Sequence, residues 1–235
     1  MLLSESLMHL RRRGHSLSNL PIYLARMVRF AWLRGRGKKS EIHIRFGEEA
    51  FTMHVLPLGP KEGSRGIYLF REYYEPLLAF GHGLLKPGDI ALDVGANQGI
   101  YCCAFALAVG PAGRVIAVEP IPRQAQRLKN NIETNAFSHC TVVEKAISDS
   151  DGVAMLELAG GDTSASILPS DPVNAIEVRT TTIDGIVAAM ALPHVDFVKL
   201  DVEGAELLAL SGAINTLQRF RPTLSIEAAD TLCFK

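Results

Sequence analysis

Three stretches of this 235-residue chain carry residues able to do chemistry. The first is Asp93-Val94-Gly95-Ala96-Asn97-Gln98-Gly99, which closes the apolar run Ile90–Val94. Gly95 and Gly99 let the backbone turn sharply and let a ligand lie against it with no Cβ in the way. The helix expected next presents unpaired N–H groups at its start. The second is Glu119, which ends the apolar run Arg114–Val118, 26 residues after Asp93. A carboxylate there can accept two hydrogen bonds from a ribose diol. The third is Lys199-Leu200-Asp201-Val202-Glu203, leaving the buried run Val195–Leu200. One of its two acids suits a general base, with Lys199 tuning its pKa or orienting an acceptor.

Two cofactor classes use a glycine turn with an acid after the next strand. Dinucleotides want Gly-x-Gly-x-x-Gly and a pyrophosphate on the helix N-terminus. This chain has Gly95-x-x-x-Gly99 with Asp93 inside the strand. A carboxylate there repels a pyrophosphate but suits a ligand carrying an ammonium and a sulfonium, such as S-adenosylmethionine. Blander readings stand beside these. The turn can be a tight connection with a solvated Glu119, and Asp201 and Glu203 can serve the first turn of the next helix, which favours acids. A divalent cation between Asp201 and Glu203 is a further alternative. The seven His show no ligand spacing and there is no Cys-x-x-Cys pair, so no metal is expected. His82, between two glycines, is the least settled of the seven.

The elements that must hold these residues follow from periodicity. Short apolar runs at Ile90–Val94, Arg114–Val118, Thr141–Ile147, Val195–Leu200 and Thr223–Glu227 read as strands. Helical stretches separate them, ending near Val109 and covering Gln124–Asn135, Thr182–Ala191 and Ala205–Leu217. Strands alternating with such helices imply right-handed βαβ units and a parallel sheet with helices on both faces, an α/β fold. Val153–Leu158 and Ile176–Thr181 read as two further extended pieces joined by a Gly/Ser/Pro-rich loop, in which Thr163-Ser164-Ala165-Ser166 is either a lid or a surface loop. Before the sheet, Glu41–Phe46 and Ala50–Val55 alternate with period 2 across Gly47-Glu48-Glu49, which predicts a hairpin. Tyr68–Leu85 reads as one helix. Three parts result: a basic helical arm over 1–40, a hairpin and helix over 41–89, and a cofactor-binding domain over 90–235.

Composition agrees with an ordinary globular chain, 48% apolar and 21% charged. The net charge of −1 hides an asymmetry: residues 1–40 hold nine Arg/Lys and one acid, whereas the remainder holds 15 basic and 24 acidic residues. An acidic body argues against nucleic acid as partner. Apolar residues recur at helical spacing between Leu20 and Leu33, with Arg26, Arg29 and Arg34 among them. This reads either as a helix packed on the main body or as a basic amphipathic helix on an anionic membrane. No run reaches 18 apolar residues and no signal-peptide pattern opens the chain. Four Cys, two of them adjacent, imply reduced thiols and a cytoplasmic setting, with peripheral membrane contact through the arm as an option.

Taken together, the glycine turn, Val118-Glu119-Pro120-Ile121-Pro122, Asn130-Asn131-Ile132-Glu133-Thr134-Asn135, Lys145-Ala146-Ile147-Ser148-Asp149, Thr182-Ile183-Asp184, Lys199-Leu200-Asp201-Val202-Glu203-Gly204-Ala205-Glu206 and Arg221-Pro222-Thr223-Leu224-Ser225-Ile226-Glu227 resemble the FkbM-type family of S-adenosylmethionine-dependent methyltransferases. The Lys-x-Asp-x-Glu-Gly-Ala-Glu run is the most specific part. The resemblance implies the class I, Rossmann-like methyltransferase sheet and methyl transfer to a hydroxyl of a small metabolite, sugar, polyketide or lipid; a cofactor-binding scaffold without catalysis and an N-methyltransferase are the alternatives. It also implies a C-terminal antiparallel strand pair, and with eight residues after Glu227 that pair is expected to be missing or altered. The roles expected are these. Asp93, Gly95, Ala96, Asn97 and Gly99 hold the methionine half of the cofactor. Glu119 and Pro120 lie at the ribose, Ala146 at the adenine, and Glu75 reaches the amino group. Asp201 lies beside the transferable methyl, where Asp201, Glu203 and Lys199 form the catalytic group.

Overall fold

The computed structural model describes residues 20–55, 64–158, 165–166 and 175–227, and divides the chain into two compact units, Met1–Leu84 and Leu85–Lys235. The first 19 residues of the arm, Thr163 and Ser164 of the suggested lid, and the segment after Glu227 where a strand pair was expected lie outside the described residues.

The first unit contains helix α1 (Leu20–Gly35), strands β1 (Ser40–Phe46) and β2 (Glu49–Val55), helix α2 (Ser64–Phe70), a 3-10 turn (Arg71–Tyr73) and helix α3 (Pro76–Leu84). The hairpin forms with Phe46 opposite Glu49, so its turn is Gly47-Glu48, one residue shorter than predicted. Gly47 has φ +63°, a conformation glycine adopts without cost. Alternation buries Ile42 and Ile44 against Phe51 and Met53. The single helix expected over 68–85 is instead three pieces. Pro76 starts α3, and a proline pushes the residue before it, Glu75, out of helical geometry. His82 stacks on Phe46 with ring centroids 4.2 Å apart, and burial lowers its pKa, partly offset by Glu49.

The second unit begins with β3 (Ile90–Val94), α4 (Ile100–Val109), β4 (Arg114–Val118), α5 (Pro122–Thr134) and β5 (Cys140–Val143). Later come α6 (Ile183–Ala189), β10 (Phe197–Leu200), α7 (Glu206–Ser211), α8 (Ile214–Phe220) and β11 (Thr223–Ile226). Five strands form a parallel sheet in the order β11-β10-β3-β4-β5. Chain order therefore runs outward from β3 in one direction through β4 and β5, and in the other through β10 and β11. Such a reversal opens a crevice at the carboxyl ends of the strands beside it, where doubly wound sheets bind ligands.

Period-2 alternation divides the side chains of this sheet. Ile90, Leu92 and Val94, with Ile116, Val118, Val198 and Leu200, pack against Ile183, Ile186 and Val187 of α6 and against Ala209 and Ala213. Phe197 meets Phe105 of α4 edge-on at 5.2 Å. Asp93 and Lys199 alternate with the first set and are adjacent across the β3–β10 ladder.

The third predicted strand, Thr141–Ile147, is two. The chain leaves the parallel sheet after Val143, and β6 (Ala146–Ile147) joins a second, four-stranded sheet of order β6-β9-β7-β8, with β7 Gly152–Leu158, β8 Ala165–Ser166 and β9 Ala175–Thr181. There Ala146 pairs with Thr180 and Ile147 with Thr181, and both are buried.

Asp184, in the first turn of α6, fastens that helix to α8. Its carboxylate accepts hydrogen bonds from the Asn215 and Thr216 amides, the Asn215 side chain and the Thr216 hydroxyl, at 2.6–2.9 Å. Burial pushes its pKa up, but these four donors overcome that and hold it below the usual carboxylate range. A lowered folded pKa gives stability that is present above the unfolded value and lost as pH falls through the folded one. Asp184→Ala is expected to cost about 1–3 kcal/mol near neutrality, with the difference from wild type shrinking in acid, as read from urea midpoints against pH.

Candidate active site at the carboxyl ends of β3, β4 and β10

The glycine turn is built by two close approaches. Gly95 has φ +79°, and a Cβ there would stand 1.8 Å from the Asp201 carbonyl oxygen. Gly99 has φ +94°, with Leu128 of α5 filling the space a Cβ would take. Asn97 completes the turn at φ +50°, tolerated by asparagine better than by most side chains. The turn's N–H groups are committed to the protein. Gly95 and Ala96 both donate to the Val118 carbonyl, Gly99 to the Ala96 carbonyl, Asn97 to Glu119 Oε2 and Gln98 to Asn97 Oδ1. Asn131, fully buried on α5, donates to the Gln98 carbonyl at 2.8 Å and braces the turn from behind. Five amides in a row are thus spent, and this turn offers no nest for a pyrophosphate.

Glu119 is buried at the end of β4. Oε2 accepts from the Asn97 amide at 2.8 Å and Oε1 from the Ile121 amide at 2.9 Å. Each carboxylate oxygen has a further lone pair beyond those bonds. Burial raises the Glu119 pKa to about 7, with the two amides partly offsetting it. The solvated Glu119 of the bland reading is therefore not what the fold contains.

Lys199 and Asp93 form a buried pair. Lys199 Nζ is 3.0 Å from Asp201 Oδ2, to which it donates, 3.6 Å from Asp93 Oδ1, and 4.7 Å from the Tyr101 ring centroid. Asp93 has no exposed surface, and neither of its oxygens has a hydrogen-bond partner within normal distance. Burial raises its pKa, Lys199 nearby lowers it, and the Asp201 charge raises it further.

The cleft itself is lined by Gly95, Asn97, Glu119, Pro120, Ala146, Asp201 and Glu203 among the residues expected from sequence. Asp93, Ala96, Gly99 and Lys199 do not line it. Asp93, expected at the methionine half of the cofactor, is paired with Lys199 across the β3–β10 ladder. Ala146 lines the cleft from β6, not from the end of the third parallel strand. Glu75 belongs to the first unit, partly exposed between the 3-10 turn and α3. Lining residues that sequence reasoning left without a role are Val94, Val118, Ile121, Lys145, Ile147, Val202 and Leu156. Most are neighbours of motif residues; Leu156 comes from the second sheet and carried no signal.

Glu203 sits exposed at φ +50°, next to Gly204 at φ +98°. The α7 N-cap residue is Ala205, with no side-chain cap, so neither Asp201 nor Glu203 caps that helix. Glu206 holds the loop, accepting from the Gly204 amide at 3.1 Å and the Val202 amide at 3.3 Å. Among the described residues no cluster of three or more His, Cys, Asp or Glu gathers as a metal would need.

Two outcomes follow from this geometry. Gly95→Ala must both strain the backbone and displace the Asp201 carbonyl, so a loss of about 3 kcal/mol or more in urea unfolding is expected. A raised folded pKa means that Glu119 keeps a proton in the folded state that the unfolded chain has released. Its contribution to stability therefore declines as pH rises from about 4.5 to about 7. Glu119→Gln should flatten that slope in melting temperature against pH, while lowering stability overall because its amide group turns towards an N–H it cannot accept from.

Residues 93–232 match the model of the methyltransferase FkbM domain. Among curated relatives, the chain is 29% identical over 155 residues to the 2-O-methyltransferase NoeI of Sinorhizobium fredii, covering 59% of this chain and 63% of that protein. It is 28% identical to the 31-O-demethyl-FK506 methyltransferase FkbM of Streptomyces tacrolimicus, covering 62% and 67%. It is 31% identical to the hexuronic acid methyltransferase AglP of Haloferax volcanii, covering 55% and 52%. The chain thus spans about two thirds or less of the length of these relatives. With a doubly wound sheet, a braced glycine turn and a carboxylate after the second strand, it belongs to the FkbM methyltransferase family, whose methyl donor is S-adenosylmethionine.

Proposed function

We propose that this chain transfers a methyl group from S-adenosylmethionine to a hydroxyl of a small metabolite, sugar, polyketide or lipid. One observation carries the reading: Glu119 and Asp201, from the strands on either side of β3, open onto one cleft with the glycine turn between them. The family match and relatives named as O-methyltransferases support it.

The lining fits that donor. Glu119, fixed by two amides, keeps acceptor capacity for a ribose diol. Ile121, Ala146, Ile147 and Leu156 supply apolar surface for a purine. The spent amides of the turn disfavour a dinucleotide. When bound, the cofactor supplies a methyl carbon on a positively charged sulfur. Asp201 lies at the cleft with Lys199 holding Oδ2, so Oδ1 can take the proton of an acceptor hydroxyl. Lys199 orients that carboxylate, and Asp93 acts through Lys199 as a positioning residue. Glu203, exposed on the same loop, also lines the cleft and is the second acid available as general base in this reading.

Calorimetry should show S-adenosylhomocysteine binding and no NADH binding; the reverse overturns the cofactor assignment. Asp201→Asn is expected to lower labelled-methyl transfer by about a hundredfold or more while the S-adenosylhomocysteine affinity stays within about threefold. An unchanged rate removes Asp201 from the mechanism.

A further inference from the structure

Helix α1 is packed on its own unit by one narrow face. Tyr23, Phe30 and Leu33 are buried, Tyr23 edge-on to Phe70 at 5.4 Å and Phe30 against Tyr68 at 5.1 Å. Arg26 donates to the Leu69 carbonyl at 2.7 Å on the same side. A helix that buries one face normally shows water a polar opposite face. This one does not. The exposed positions are Pro21, Ile22, Leu24, Ala25, Val28, Arg29, Ala31, Trp32, Arg34 and Gly35, with no acid, amide or hydroxyl among them. Leu24, Val28 and Trp32, four residues apart in turn, form a stripe in which Val28 is 73% and Trp32 52% exposed.

The charges say what covers this stripe. Arg29 lies within its span, Arg34, Arg36, Lys38 and Lys39 follow it, and residues 20–40 contain no acid. The Arg36 guanidinium lies 4.0 Å over the Trp32 ring, at the end of the stripe. A protein partner would be expected to meet a polar rim with directional hydrogen bonds, which this face lacks apart from its arginines. An apolar face ending in tryptophan and flanked by cations is what the boundary of an anionic bilayer takes up. There the ring sits at headgroup level and the guanidinium groups reach the lipid phosphates. No described helix is long and apolar enough to cross a membrane, so this one would lie along the surface.

We infer that the Leu24–Val28–Trp32 face of α1 docks this protein on the surface of an anionic lipid bilayer. The inference is independent of the methyl-transfer reading, because it rests on the first unit alone.

Trp32 is the chain's single tryptophan, so its fluorescence reports on this face alone. The full chain is mixed with vesicles of phosphatidylcholine, with and without phosphatidylglycerol. The expected result is a blue shift of the emission and co-sedimentation with the anionic vesicles, about tenfold weaker on neutral ones and weakened by salt. Val28→Glu, at a position open to solvent, should keep its far-ultraviolet circular dichroism and its S-adenosylhomocysteine affinity while losing both signals. Arg29→Gln with Arg36→Gln should keep the stripe and weaken binding about tenfold. Three outcomes overturn the inference. One is no response to either vesicle. Another is equal binding to both. The third is an emission already blue-shifted in buffer and insensitive to lipid, which would mean that residues 1–19 or a second copy covers the face.

Discussion

A lysine buried to 3% exposure between two carboxylates fixes the centre of the second unit. Removing an ammonium from water costs several kcal/mol unless neighbours replace its hydration. Lys199 recovers this from the hydrogen bond to Asp201, the nearby Asp93 charge and the face of Tyr101. The compensation works in one register only. With Lys199 opposite Asp93, the β3–β10 ladder brings the Asp201 amide to the Val94 carbonyl. A slip of one residue would set the ammonium against Leu92 or Val94, with nothing to answer its charge. The same register presses the Asp201 carbonyl against Gly95, so the glycine turn depends on the ion pair beneath it.

The cleft gains its selectivity from what is already used up. A glycine turn after a first strand is shared by phosphate-binding and adenosyl-binding proteins. Here its amides bond to Val118, Ala96, Asn97 and Glu119. Donors for an anion have been exchanged for a fixed acceptor, Glu119, which in the proposed reading receives the ribose diol. A hydroxylated sugar satisfies such a site, and a phosphate does not.

Much of this was legible in the residues. Short apolar runs separated by helical stretches gave the parallel sheet, and the acids at strand ends marked the crevice. The places where the reading failed share a cause. The charged pair Glu144-Lys145 interrupts Thr141–Ile147, but that the chain changes sheets there is settled by the pairing of Ala146 and Ile147 with Thr180 and Thr181, far along the chain. Asp93 is visible in its motif, but its pairing with Lys199 depends on a strand more than a hundred residues later. Leu156 reaches the cleft from β7, through that strand's pairing with β9 in the second sheet. Glu206, last of the motif acids, ties down the loop that its two predecessors occupy, a role visible only once the loop is folded.

The change of sheets after Val143 has a further effect. The apolar wall of the cleft rests on a core of its own, Ile121, Ala146, Leu156 and Val178, separate from the larger cluster under the parallel strands. Because the antiparallel β7–β9 hairpin carries that wall, its length and side chains can drift over generations without disturbing the ladder that seats Lys199. The ion pair under Lys199 is thereby insulated from changes in that wall, which has a core of its own to absorb them.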